Sequence, residues 1–152
     1  MARATSEYVR KTGQLRAAQF DVADETALEA LIDEDQFLPS AADEVHDRVG
    51  DSTYNSTSAL TIRKLKNAES YLTLGKLFRA LAASHSTEHD EPMPSEFRSK
   101  VDDINAVARD WEDKAEDVIA KLTTTHEGSS FIGAWVSGGV DEDEDTILGM
   151  DY

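Results

Sequence analysis

Cysteine is absent from this 152-residue sequence, proline occurs three times and tryptophan twice. Without cysteine there can be no disulfide, no thiolate metal site and no Cys–His nucleophile. No apolar run approaches the ~20 residues that a membrane-spanning helix needs. The opening residues, MARATSEYVRK, are basic but no apolar stretch follows them, so they do not read as a secretory signal. A disulfide-free chain without an export signal fits synthesis in the cytoplasm. The sequence also lacks a phosphate-cradling glycine loop and a GxSxG elbow. Trp111 and Trp135 are not interleaved with basic residues, which argues against a stacking surface for single-stranded nucleic acid.

Positive charge is scarce as well. Fifteen Lys and Arg stand against thirty-one Asp and Glu, a net charge of −16. Self-repulsion at that charge opposes compaction and repels phosphate. Two readings compete, an ordinary acidic protein and a surface adapted to high salt, where cations screen the repulsion within a few Å. The second is favoured, because the acids are spread along the chain, Lys is sparse and small Ala, Ser and Thr fill polar positions. The scarce cations are unevenly placed. In residues 1–20, Arg3, Arg10, Lys11 and Arg16 face Glu7 alone. That segment reads either as a solvated terminus or as a basic arm that docks on the acidic body of a neighbouring copy.

What is present is helical periodicity. From Ser58 to Ala83, Leu60, Ile62, Leu65, Ala68, Tyr71, Leu72, Leu74, Leu77, Phe78 and Leu81 recur at helical spacing. Their face is wider than one partner helix could cover, which marks a helix at the centre of a bundle. Gly75 inside it costs about 1 kcal/mol relative to Ala and is explained by a close helix crossing. Before it, Asp24 can cap a helix with Leu28, Leu31 and Ile32 on its apolar stripe, ending near Phe37 ahead of Pro39. Ser40 can cap a second short helix over Ala41–Val49, stopped by Gly50. Residues 51–57 read as a polar loop in which the ring of Tyr54 packs onto the body. After a Pro-bounded loop at His85–Pro94, a long helix is predicted from Ser95 to about Thr123. Phe97, Val101, Ile104, Ala108, Trp111, Ala115, Val118 and Leu122 alternate spacings of four and three, the seam of a helix lying lengthwise on another. The connecting loop lets this helix return antiparallel to the central one.

From Glu127 the pattern changes. Gly128, Gly133, Gly138 and Gly139 punctuate a short apolar stretch holding Phe131, Ile132, Trp135 and Val136. Five consecutive acids, Asp141–Asp145, follow, then Ile147, Leu148, Met150 and Tyr152. These clusters are too apolar for a solvating tail. They read as an extended arm that orders on a partner, with the alternative that it folds back on its own bundle. The fold expected is all-α: a small bundle of two long antiparallel helices and two short N-terminal ones, with extended N- and C-terminal arms. The divisions are 1–22 for the basic arm, 23–126 for the bundle and 127–152 for the C-terminal arm.

Two motifs imitate metal sites. His85-Ser86-Thr87-Glu88-His89 has the HxxEH spacing of some zinc peptidases, but it runs off a helix end into a Pro-bounded loop. Asp141, Asp143 and Asp145 imitate the start of a calcium loop, yet Thr146 stands where the turn needs glycine and Tyr152 where a bidentate glutamate belongs. The expectation is a non-enzyme with no cofactor and no specific metal.

The order of elements resembles that of the adaptor proteins of the head-to-tail connector in tailed viruses. The resemblance covers residues 8–122. It rests on Tyr8-Val9 and Gln14-Leu15-Arg16, a short acidic helix over Leu28–Ile32, a second over Ala42–Val49, a loop with Tyr54, and a long helix from Leu60 carrying Ala68, Tyr71 and Leu72. The long final helix and the acidic C-terminal arm depart from that pattern. The resemblance implies a homo-oligomeric ring, of twelve copies, in the neck of a virion assembled in the host cytoplasm. The ring would sit under the portal protein and receive a stopper or tail protein below, with DNA passing through unread and no membrane involved. The acidic composition would make the host a halophilic archaeon. Partner-binding residues are then expected in the two arms: Phe131, Ile132, Trp135, Val136, Ile147, Leu148, Met150 and Tyr152, with Arg3, Arg10, Lys11 and Arg16. Two alternatives remain, a cytoplasmic helical interaction or regulatory protein and a tail-completion or neck protein.

The charge makes a prediction of its own. Adding molar potassium chloride should raise the thermal midpoint, because screening relieves repulsion between neighbouring acids. A midpoint that does not move with salt would remove the argument for a high-salt host.

Overall fold

The helix starts follow local capping chemistry. Thr5 opens α1 (Ser6–Thr12), its hydroxyl accepting from the Tyr8 amide at 3.2 Å. Asp24 opens α2 (Glu25–Ile32), its carboxylate accepting from the Ala27 amide at 2.8 Å. A 3-10 turn at Ala17–Phe20 joins the two. Helix α2 stops at Ile32, short of the expected Phe37, and α3 (Leu38–Val49) begins before Ser40 with Pro39 in its first turn. Proline fits there because the amide it lacks would have had no helical partner. Gly50 ends α3 with φ at +83°, a left-handed value that a side chain would resist. One helical turn, α4 (Asp51–Tyr54), replaces the expected loop. Two long helices follow, α5 (Ala59–Thr87) and α6 (Ser95–Leu148). The computed structural model describes residues 1–87 and 95–148, with α6 beyond Thr124 described by its backbone. Every regular element among them is helical, and the fold is the all-α bundle that the periodicity predicts, built on α5 and α6 packed together.

Helix α5 runs through the middle. Toward its C-terminal half, Leu74 and Leu77 meet Val9, Leu15, Leu28, Ile32, Phe37 and Leu38. Toward its start, Leu65, Ala68 and Leu72 meet Ala41, Val45 and Tyr54 on one side and Ala115, Ile119 and Leu122 of α6 on the other. Full burial of one such aliphatic side chain contributes about 1.5–3 kcal/mol. The seam of α6 is close to the one expected, with Ala108, Ala115 and Leu122 buried and Ile119 added to them. Trp111 is at its rim rather than inside it. Its ring stacks at a tilt on Tyr71 with centroids 5.6 Å apart, and the Lys114 ammonium lies 4.1 Å from its centroid.

At Gly75, α5 and α6 pass close to one another. A methyl group there would lie 2.8 Å from Cγ of Glu112 and 3.5 Å from the Ala108 carbonyl oxygen. Glu112 is held by both arms of the Arg79 guanidinium, at 2.9 and 2.8 Å. One turn along α6, Glu116 takes both arms of Arg48 from α3, at 2.5 and 2.6 Å. The two guanidinium groups hold both carboxyls below the usual range. These pairs are partly exposed, so each is worth about 0–1 kcal/mol. Their contribution is present above the ordinary glutamate range and is lost as pH falls through it.

Both arms differ from expectation. The basic N-terminal segment is part of the bundle: Ala4, Val9 and Leu15 are buried in the core. Two of its charges find acids within the same chain. Lys11 pairs with Glu7 at 2.6 Å, and Arg10 with Glu29 at 2.8 Å and Glu25 at 3.4 Å. The C-terminal segment is helical rather than extended, because α6 continues without a break to Leu148. Each glycine there costs about 1 kcal/mol. A helix already under way needs no new nucleus to cross them.

Gly75 supplies the test of the crossing. Gly75→Ala should change stability by less than about 1 kcal/mol, since helix propensity offsets displacement of the Glu112 side chain. Gly75→Leu should lose about 1–3 kcal/mol by forcing the helices apart. If urea unfolding finds the two substitutions equal, the helices do not approach closely at this point.

Candidate functional site

The most unusual chemistry in the described residues is a carboxylate that periodicity places in the core. Glu69 lies on α5 between Leu65 and Ala68 on one side and Leu72 on the other, and it is fully buried. One of its oxygens accepts from the backbone amides of Arg3 and Ala4, both at 2.7 Å. The other accepts from the Tyr54 hydroxyl. Tyr54 comes from α4, and its own carbonyl accepts from the Arg3 guanidinium at 2.6 Å. The Tyr54 hydroxyl is also 3.0 Å from the Met1 carbonyl, a second acceptor for its single proton. His46 stacks on the Tyr54 ring, centroids 4.3 Å apart, and bonds Asp51 at 2.6 Å. The N-terminal segment is thus tied to the core through its backbone.

The electrostatics follow from burial. Leaving water pushes the Glu69 carboxyl above the usual glutamate range, and the bonds from Tyr54, Ala4 and Arg3 pull it only part of the way back. Burial first, then the bond to Glu69, pushes the Tyr54 phenol above its usual range. This arrangement binds backbone and anchors a segment.

The expected partner-binding residues fall in two places, the N-terminal segment and the chain from the far part of α6 onward. Arg10 and Lys11 are engaged in ion pairs within the chain, and Arg3 lies over the Tyr54 ring at 5.6 Å. Arg16 caps the 3-10 turn through its backbone amide, which donates to Gln19 at 2.8 Å. Phe131, Ile132, Trp135, Val136, Ile147 and Leu148 fall on the helical backbone of α6, while Met150 and Tyr152 lie outside the described residues. Of the HxxEH match, His85 ends up in the last turn of α5, and Glu88 and His89 lie outside the described residues. Among the described residues no group of three or more His, Asp or Glu is placed to hold a metal ion. No helix among them is long and apolar enough to cross a membrane.

Sequence reasoning missed the role of Glu69. The signal was there, because a Glu with Leu65 at i−4, Ala68 at i−1 and Leu72 at i+3 sits on the buried face of its helix.

Substitution of Glu69 separates charge from hydrogen bonding. Glu69→Ala should cost about 2 kcal/mol or more, because the Arg3 and Ala4 amides lose their buried acceptor. Glu69→Gln keeps an oxygen for those amides and turns its own amide toward Tyr54, whose proton then goes to the Met1 carbonyl. The sign of the pH effect follows from the raised carboxyl. The folded state holds that proton more tightly than the unfolded one, so Glu69 contributes most at acid pH and loses that contribution as pH rises. Glu69→Gln should therefore gain on the parent as pH rises from the ordinary glutamate range to neutrality. Paired denaturation curves at several pH values measure this, and a gap that stays flat or shrinks would show that the carboxyl is not raised.

Comparison with models of protein families, with curated proteins and with solved structures gave no match.

Proposed function

We propose that this chain is a structural subunit of the head-to-tail connector of a tailed virus, an adaptor that forms a ring between the portal and a stopper or tail protein. One observation carries the reading. Among the residues whose side chains are described, the core clusters reach as far along α6 as Leu122, and the helix runs on to Leu148. At 1.5 Å per residue that continuation is ~39 Å of helix. The sequence of the continuation holds Phe131, Ile132, Trp135 and Val136, side chains of a kind that gain about 1.5–3 kcal/mol each when buried. A bundle with a packed core over its described residues, followed by a long helical continuation with apolar residues in its sequence, has the build of an assembly subunit. The resemblance over residues 8–122 supplies the kind of assembly. A net charge of −16 suits a wall along which DNA slides, since phosphate binding grows with each cation contacted.

Truncation after Thr124 tests the reading. The shortened chain should keep a cooperative melt, because every described residue of the two core clusters remains. It should lose the ability to join a portal ring in light scattering, where the full chain joins it. A shortened chain that unfolds would mean the continuation belongs to its own core. One that still joins with unchanged affinity would mean the bundle makes the contacts. A full chain that stays apart from the portal ring but associates with another helical protein would favour the interaction-protein alternative.

A further inference from the structure

In a chain so short of positive charge, a run of adjacent cations with no acidic partner is out of place. Arg10, Lys11, Arg48, Lys76, Arg79 and Lys121 all sit in ion pairs. The side chains of Arg63, Lys64 and Lys66 bond or pair with none of the described residues. They are three cations in four residues, the densest positive run in the sequence. At about 100° per residue, Arg63 lies opposite the buried Leu65, Ala68 and Leu72, with Lys64 and Lys66 on either flank. Leu60, one turn earlier on the same outer side, is 52% exposed. The first two turns of α5 therefore present a basic patch beside an exposed apolar side chain.

The complementary charge is in the same sequence, in the acidic run Asp141–Asp145 on α6. It cannot reach the patch within its own chain. Helices α5 and α6 run antiparallel, with Gly75 against Glu112 and Leu65 in one cluster with Ile119 and Leu122. Continuing that register sets Arg63–Lys66 level with the turn of α6 around Leu122. Asp141 is then roughly 28 Å farther along the axis. No Lys side chain spans that gap. The residues that follow the acids, Ile147 and Leu148, are apolar like Leu60.

We propose that the acidic turn of α6 from one copy docks on Arg63, Lys64 and Lys66 at the start of α5 of a second copy. Each copy carries both halves, so the contact is head-to-tail, and it closes into a ring or runs on as a filament. This inference rests on the assembly reading and names the contact between copies, which is separate from the contact with the portal.

Charge exchange tests it. One full-length variant carries Arg63→Glu, Lys64→Glu and Lys66→Glu, and another carries Asp141→Lys, Asp143→Lys and Asp145→Lys. In sedimentation at 0.15 M salt, roughly physiological, each variant alone should self-associate at least about tenfold more weakly than the parent. Mixing the two should restore association, because each supplies the charge that the other now requires. Thermal melts that match the parent show that the bundle is intact in both. Variants that associate like the parent, a mixture that stays dissociated, or a parent that does not self-associate would each overturn the proposal. Portal binding, measured separately on the parent, keeps the two readings apart. Binding with no effect of charge exchange removes only the copy-to-copy contact, and the reverse result removes only the connector reading.

Discussion

The fold depends on one helix being buried on nearly every side. Helix α5 packs against α1, α3, α4 and α6, and no other element of the described chain is so surrounded. A helix in that position needs apolar residues around most of its circumference, and Leu65, Ala68, Leu72, Leu74 and Leu77 supply them. It also needs small residues where a neighbour crosses, and Gly75 faces Ala108 there. The N-terminal helices are too short to be stable by themselves, since isolated helices under about 12 residues are marginal in water. They persist because they cover one side of α5 while α6 covers another.

That same position explains why a carboxylate can be buried. An ionised group inside a protein is tolerated when hydrogen bonds replace its water. Glu69 has three donors, two of them backbone amides. Backbone donors are attractive partners in this respect, because Arg3 and Ala4 would otherwise need acceptors of their own in the core. The N-terminal segment and Glu69 solve each other's problem. The net stability of such an arrangement is small compared with an apolar contact, but breaking one side of it is expensive.

The parts of the structure that were legible in the sequence are those that periodicity controls. The start of α5, the start of α6 at Ser95, the Asp24 cap and the Gly50 stop all rest on local rules that hold in the structure, while α5 runs on to Thr87, past the expected Ala83. The N-terminal segment was misread because its charge was read as exposure. Val9 and Leu15 were the contrary signal, and Arg10 finds its acids on α2, a contact that no local rule predicts. The far half of α6 was misread for the opposite reason. Four glycines look like breakers when counted singly, whereas a long helix absorbs their cost across many turns. Glu69 was passed over because glutamate is ordinarily a surface residue, and its neighbours at i−4, i−1 and i+3 outweigh that expectation.

Glu112 and Glu116, four residues apart on α6, are each gripped by an arginine from a different helix, Arg79 on α5 and Arg48 on α3. Two such grips at a spacing of one turn act as a vernier. Were α6 to slip by a turn, about 5.4 Å, one carboxylate could slide into its neighbour's place while the other arginine faced a residue of another kind. The residue four positions before Glu112 is Ala108, and the one four positions after Glu116 is Ala120. Neither alanine can accept a guanidinium, so the slipped alignment loses a pair in either direction. Interactions that add almost nothing to the depth of the folded well can thus decide which of several near-equivalent alignments of two long, alanine-lined helices is the one occupied.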